Sequence, residues 1–110
     1  MNTNKIAELN DKLRQNIFNP GKDKVILTQG VSNLPFDEQL KILIKVKDFN
    51  DFTPDNNPWG ENDFGKLEHN NTDYFWKIDY YNRDMDTGSD DPSNPDITTR
   101  VLTIMRADEY

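Results

Sequence analysis

A chain of 110 residues with a formal charge of −7, 34% hydrophobic residues and no cysteine has room for one core, and residues 1–110 are expected to form a single domain. The missing thiols exclude a disulfide framework, a thiolate nucleophile and Cys-ligated zinc. No stretch nears the roughly 20 apolar residues of a membrane span, and the N-terminus lacks the basic and apolar regions of a secretion signal, so a cytoplasmic protein without a membrane partner is expected.

Ile6, Leu9, Leu13 and Ile17 recur at helical spacing until Asn19-Pro20-Gly21 stops the pattern, which predicts an amphipathic helix over residues 4–18. Lys24-Val-Ile-Leu-Thr28, closed by Gly30, reads as a short strand. A second helix is predicted over 35–49, with Pro35 in its first turn and Asp37 and Glu38 at the positive end of its dipole. Ile42, Ile44 and Val46 also alternate with Lys45 and Lys47, the pattern of a strand; the start signals favour the helix.

The segment 51–63 is polar and broken by Pro54, Pro58 and Gly60, so a long loop is expected there. Phe64–His69 and Tyr74–Tyr81 then flank the turn-forming run Asn70-Asn71-Thr72-Asp73, giving a hairpin. In the second strand Tyr74, Trp76, Ile78 and Tyr80 share one face, whereas Phe75, Lys77, Asp79 and Tyr81 share the other, a half-exposed aromatic and charged surface. A second polar loop, 82–96, leads to a last strand over Thr98–Arg106. The order α-β-α-β-β-β places the chain in the α+β class, with two helices packed on one face of a mostly antiparallel four-stranded sheet.

Three segments, Phe52-Thr-Pro-Asp-Asn-Asn-Pro-Trp-Gly-Glu-Asn-Asp-Phe-Gly65, Phe75-Trp-Lys-Ile-Asp-Tyr-Tyr81 and Thr98-Thr-Arg-Val-Leu-Thr-Ile-Met105, resemble a family of small bacterial proteins of unknown function found in proteobacteria and on their mobile elements. The resemblance covers nearly the whole chain and implies no catalytic residues.

Asp55, Glu61 and Asp63 gather carboxylates beside Trp59 in one stiffened loop, the oxygen-rich composition of a Mg²⁺ or Ca²⁺ site. The simpler expectation is that the three side chains diverge, that Asp55 caps a turn, and that Trp59 is largely buried and pins the loop to the core. Pro54-Asp55 opens like a metal-dependent nuclease signature, but the acid-x-Lys triplet is absent: Phe75 stands two residues before Lys77, and Asp63 lies three residues before Lys66. Asn82, Asp84, Asp86, Gly88, Asp90 and Asp91 alternate like a calcium loop. Thr87 occupies the place of the turn glycine and no Glu closes it, so a solvated acidic loop is expected. His69 is expected at the surface, with no nucleophile tied to it. No glycine-rich phosphate loop is present.

Residues 1–47 hold eight Lys/Arg against five Asp/Glu, a net of +3, and residues 48–110 hold five against fifteen, a net of −10. Phosphates would be repelled by the second part and a basic protein attracted to it. The expected function is therefore non-enzymatic, without a cofactor: binding to a basic protein, such as a nucleic-acid-binding enzyme that the acidic surface inhibits by imitating phosphates, in the manner of an anti-CRISPR protein. The candidate surface comprises Asp55, Trp59, Glu61, Asp63, Phe75, Asp79, Tyr81, Asp84, Asp86, Asp90 and Asp91. The alternatives are a metal-assisted hydrolase built on Asp55, Glu61 and Asp63, and a housekeeping interaction module.

Overall fold

A computed structural model describes residues 2–110. Helix α1 (Thr3–Gln15) is capped by Asn2, whose side chain accepts the Lys5 N–H, and turns Ile6 and Leu13 inward. It stops short of the predicted residue 18: Asn16 donates its amide back to the Lys12 carbonyl and satisfies the helix end, while Ile17 stays buried in the looser turn that follows. Gly21, at φ 67°, then reverses the chain into strand β1 (Lys24–Leu27).

A short helix, α2 (Gln29–Ser32), follows β1 and was not expected. Four residues are too few for a periodicity to show, but the turn buries Val31 completely. Helix α3 (Phe36–Lys47) begins one residue later than the sequence implied, with Pro35 outside it at the cap. Burial decides between the helical and extended readings of this segment: Ile42 and Val46 are fully buried, whereas Ile44, which would share their face in a strand, is 49% exposed. That is helical spacing.

Strands β2 (Phe64–His69) and β3 (Thr72–Asn82) form the predicted hairpin. Its turn is tighter than the four-residue run implied, because Asn70 and Asn71 alone take the left-handed conformation, at φ 51° and 63°. Asparagine tolerates this region well, and two such residues match the twist of paired strands. Strand β4 (Thr98–Arg106) completes the sheet, whose order is β1-β4-β3-β2. β3 pairs with both β2 and β4 antiparallel, and β1 joins β4 in parallel.

One face of this sheet carries Tyr74, Trp76, Ile78, Leu102 and Ile104, all buried against Leu13, Val31, Ile42 and Val46 of the helices. The α+β architecture with helices on one face therefore holds, and the alternation read from β3 assigns its core side correctly. The opposite face is finished differently. Phe64 stacks on Phe75 at 5.2 Å, and Tyr110 closes edge-on over both rings. A 3-10 turn, Ala107–Glu109, brings Tyr110 there, and Glu109 fixes it by accepting hydrogen bonds from Gly30 N, Thr28 Oγ1 and Arg106 N. These bonds hold the Glu109 carboxyl below its usual range, the Gly30 bond most strongly.

Candidate functional site

The strand registers direct both long polar loops to one end of the sheet. β2 starts at Phe64 opposite Lys77, β3 runs on to Asn82, and β4 starts at Thr98 opposite that same Asn82. The loop before β2 and the loop between β3 and β4 therefore leave side by side. They meet at Tyr80, whose hydroxyl donates to Glu61 Oε1 at 2.8 Å and whose carbonyl accepts the Ser89 N–H at 3.1 Å.

The first loop is ordered from below by Phe52. Its ring lies edge-on to Phe49 and Trp76, and the buried Arg14 guanidinium stacks over Phe52 and Trp76 while donating to the Val46 and Phe49 carbonyls. From the side it is tied to α1. Asn10, fully buried, donates to the Glu61 carbonyl and to the Tyr80 hydroxyl, and the Asn62 amide reaches both Asp11 oxygens at 3.2 Å. Asn57 and Asn62 bond to each other twice, and Thr53 and Asn56 close the preceding turn reciprocally. Burial pushes the Tyr80 hydroxyl and the Asp63 carboxyl up, and the nearby Glu61 charge adds to both shifts.

What this scaffold leaves outside is Pro58-Trp59-Gly60. Gly60 takes φ 69°, a conformation that costs a residue with a Cβ, and passes close to Thr3 of α1. Trp59 projects away and is 78% exposed, more than any other large apolar side chain among the described residues. The expectation of a buried, pinning Trp59 is therefore wrong. The turn residues around it fix the backbone but not the direction of the indole, and Phe52 already fills the core position. Asp55 is exposed and caps nothing; Thr53 and Asn56 close that turn.

In the second loop Asn82 donates to Asp86 and Thr87, and Ser89 bonds Thr98 at 2.7 Å. Asp91 accepts the side-chain and backbone donors of Ser93, which hold its carboxyl below the usual range. Asp84, Asp86 and Asp90 are exposed.

The predicted surface thus separates into three groups. Asp55, Trp59, Asp84, Asp86 and Asp90 are exposed in the two neighbouring loops. Glu61, Asp63 and Asp91 are partly buried, with Glu61 and Asp91 engaged in internal hydrogen bonds. Phe75, Asp79 and Tyr81 lie on the far face of the sheet, where Phe75 is covered by Tyr110 and Asp79 is paired with Lys77 at 2.9 Å. Among the described residues no group of three or more His, Asp or Glu side chains converges as a metal site would.

His69 is not at the surface as expected. It is 7% exposed, and its ring bridges Glu38 Oε1 at 3.0 Å and Lys45 Nζ at 3.1 Å, tying α3 to β2. The sequence reading also missed Asn10, Arg14 and Arg100, all buried. A signal existed for Asn10: it stands four residues after Ile6 on the face that α1 turns inward, where a polar residue demands a partner.

Residues 27–109 match the model of a family described as "Protein of unknown function (DUF3768)". No curated protein and no solved structure matches the chain.

Proposed function

We propose that this chain, which belongs to the DUF3768 family, acts without catalysis by binding a basic protein through the loop-bearing end of its sheet. Trp59 is the anchor of that surface, and Asp55, Asp84, Asp86 and Asp90 supply the surrounding charge. The observation that carries this reading is an indole 78% exposed on a loop whose backbone is held by Asn10, Asp11 and Phe52. Burying a large apolar side chain is worth about 1.5–3 kcal/mol, which this fold forgoes. Because the loop is already ordered, a partner that covers Trp59 gains that energy without the entropic cost of arranging the loop. Tryptophans in such positions dominate binding energy at protein interfaces.

The net of −10 over residues 48–110 favours a basic partner and opposes nucleic acid. Carboxylates on two adjacent loops resemble a run of phosphates, so the partner class we favour is a nucleic-acid-binding enzyme of the cytoplasm, inhibited by occupation of its basic channel. The resemblance to proteins carried on mobile elements points the same way, toward an anti-defence role of the anti-CRISPR kind. No observation favours the hydrolase, since Glu61 is turned to Tyr80 and Asp63 is partly buried, and the three carboxylates do not converge among the described residues.

The test compares what the parent protein and the Trp59→Ala variant retain from a lysate of the native host at rising salt. A basic protein held by the parent, lost from the variant and released as salt screens the acidic loops is the expected result. Identical retention by both proteins would overturn the reading. If the captured protein still binds its nucleic acid in the presence of the parent, the inhibitor is excluded in favour of an interaction module.

A further inference from the structure

At the same end of the sheet, between α1, the connection from α1 to β1, and β4, lies a cavity of about 290 Å³ lined by Lys12, Lys22, Asp23, Asn19 and Arg100, among others. Arg100 is 1% exposed, and its guanidinium is held on three sides. Nε donates to Asn10 Oδ1 at 2.8 Å, Nη2 donates to the Pro92 carbonyl, and Cζ lies 5.2 Å from the centre of the Tyr80 ring. Nη1 makes no hydrogen bond among the described residues.

No carboxylate of the described residues forms an ion pair with this guanidinium. The two nearest in charge are occupied: Asp23 accepts the Arg100 backbone N–H at 2.9 Å and pairs with Lys22, and Glu61 accepts from Tyr80. A charge taken out of water without a counterion is costly, and burial accordingly lowers the Arg100 pKa. The cavity therefore collects three cations against one carboxylate in a chain whose overall charge is −7. The carbonyl end of α1 also faces this region, but a helix end amounts to about half a negative charge, and the Lys12 carbonyl is already covered by Asn16.

We propose that this cavity binds inorganic phosphate or a small phosphate monoester, with Arg100 Nη1 at its floor and Lys12 and Lys22 at its walls. The charge count decides the class. Three cations against one carboxylate leave the cavity a net of +2, which a phosphate dianion matches and a monocarboxylate does not. Arg100 and Lys12 would donate to it, while Lys22, which already donates to the Thr98 carbonyl and pairs with Asp23, adds charge from the wall. The cavity lies at the lower limit of ordinary ligand pockets, which limits the ligand to a small molecule. The acidic loops beside it oppose a polynucleotide.

Calorimetric titration of the full chain with inorganic phosphate and with glycerol phosphate, at ionic strength fixed by chloride, tests the site. Saturable binding at about millimolar concentration or below is expected, together with a rise in Tm. Lys12→Gln, at an exposed position, should weaken binding by about tenfold, the loss of one favourable charge contact. Arg100→Lys should weaken it further if that variant folds. Absence of saturable binding, binding unaltered in Lys12→Gln, acetate bound as tightly as phosphate, or a short oligonucleotide bound more tightly than either monoester or phosphate would each overturn the proposal.

Discussion

The helix-covered half of the molecule and its loop-bearing end each hold one of the two tryptophans, and the two indoles meet opposite fates. Trp76, in the middle of β3, is fully buried among Phe49, Phe52 and Arg14, beneath Gly65 of the neighbouring strand. Trp59 stands in water at the tip of a loop that Asn10, Asp11 and Phe52 hold in place. In the strand, the residues two places either side of Trp76 face the same core, so its direction is over-determined. In the loop, asparagines and Phe52 satisfy the backbone and the packing, and the indole contributes to neither. One tryptophan serves the fold; the other is left for something outside it.

The strongest way to break this contrast is to remove Trp76. Trp76→Ala should cost about 3–5 kcal/mol of stability, read from the denaturant midpoint, and a loss no larger than that of Trp59→Ala would refute the division. Gly65→Ala sharpens it next. A Cβ there would run into the Trp76 indole nitrogen and come within 2.8 Å of Phe49 Cζ, and overpacking of this kind costs about 1–3 kcal/mol. Should Gly65→Ala prove as stable as the parent, the indole is free to shift and the pocket is looser than described.

The third prediction concerns the seam between α3 and β2. Hydrogen bonds from Lys41, His69 and Asn70 pull the Glu38 carboxyl from its ordinary 4.5 down to about 2. A depressed carboxyl stabilises the fold above its unfolded value and loses that contribution as pH falls through the folded one. Stability should therefore decline as pH drops from 4.5 to about 2, and Glu38→Gln should flatten that limb of the profile. An unchanged acid limb in the variant would mean that other carboxylates set it. The smallest effect is expected at Trp59 itself: Trp59→Ala should change stability by less than about 0.5 kcal/mol while abolishing the part of the tryptophan emission that iodide quenches.

The legible and illegible parts of the sequence divide along the same line. Alternation in β3, the Asn70-Asn71 turn and the stripe of α1 are local patterns, and each finds its element, although the turn is shorter and α1 ends earlier than they imply. α3 was legible through its start signals, although Pro35 sits just outside the helix. What could not be read locally are partners brought from far along the chain: Asn10 with Tyr80, Asn62 with Asp11, and His69 with Glu38 and Lys45. The exposure of Trp59 belongs with these, because it depends on Phe52 having taken the place against Trp76. The pairing of β1 was equally hidden, since a four-residue strand carries no mark of the neighbour it will choose.

That pairing has a consequence for how the molecule comes into being. Among the described residues β4 is the one strand that touches both β1 and β3, and it follows both in the chain. Until residues 98–106 have left the ribosome, α1, β1 and α3 lack Leu102 and Ile104, the side chains that join them to the hairpin. Pairing in parallel across most of the chain is slow because the intervening loop must be closed first. Nascent chains that end before β4 should therefore remain protease-sensitive, and the sheet should close in one step once β4 is available, not strand by strand.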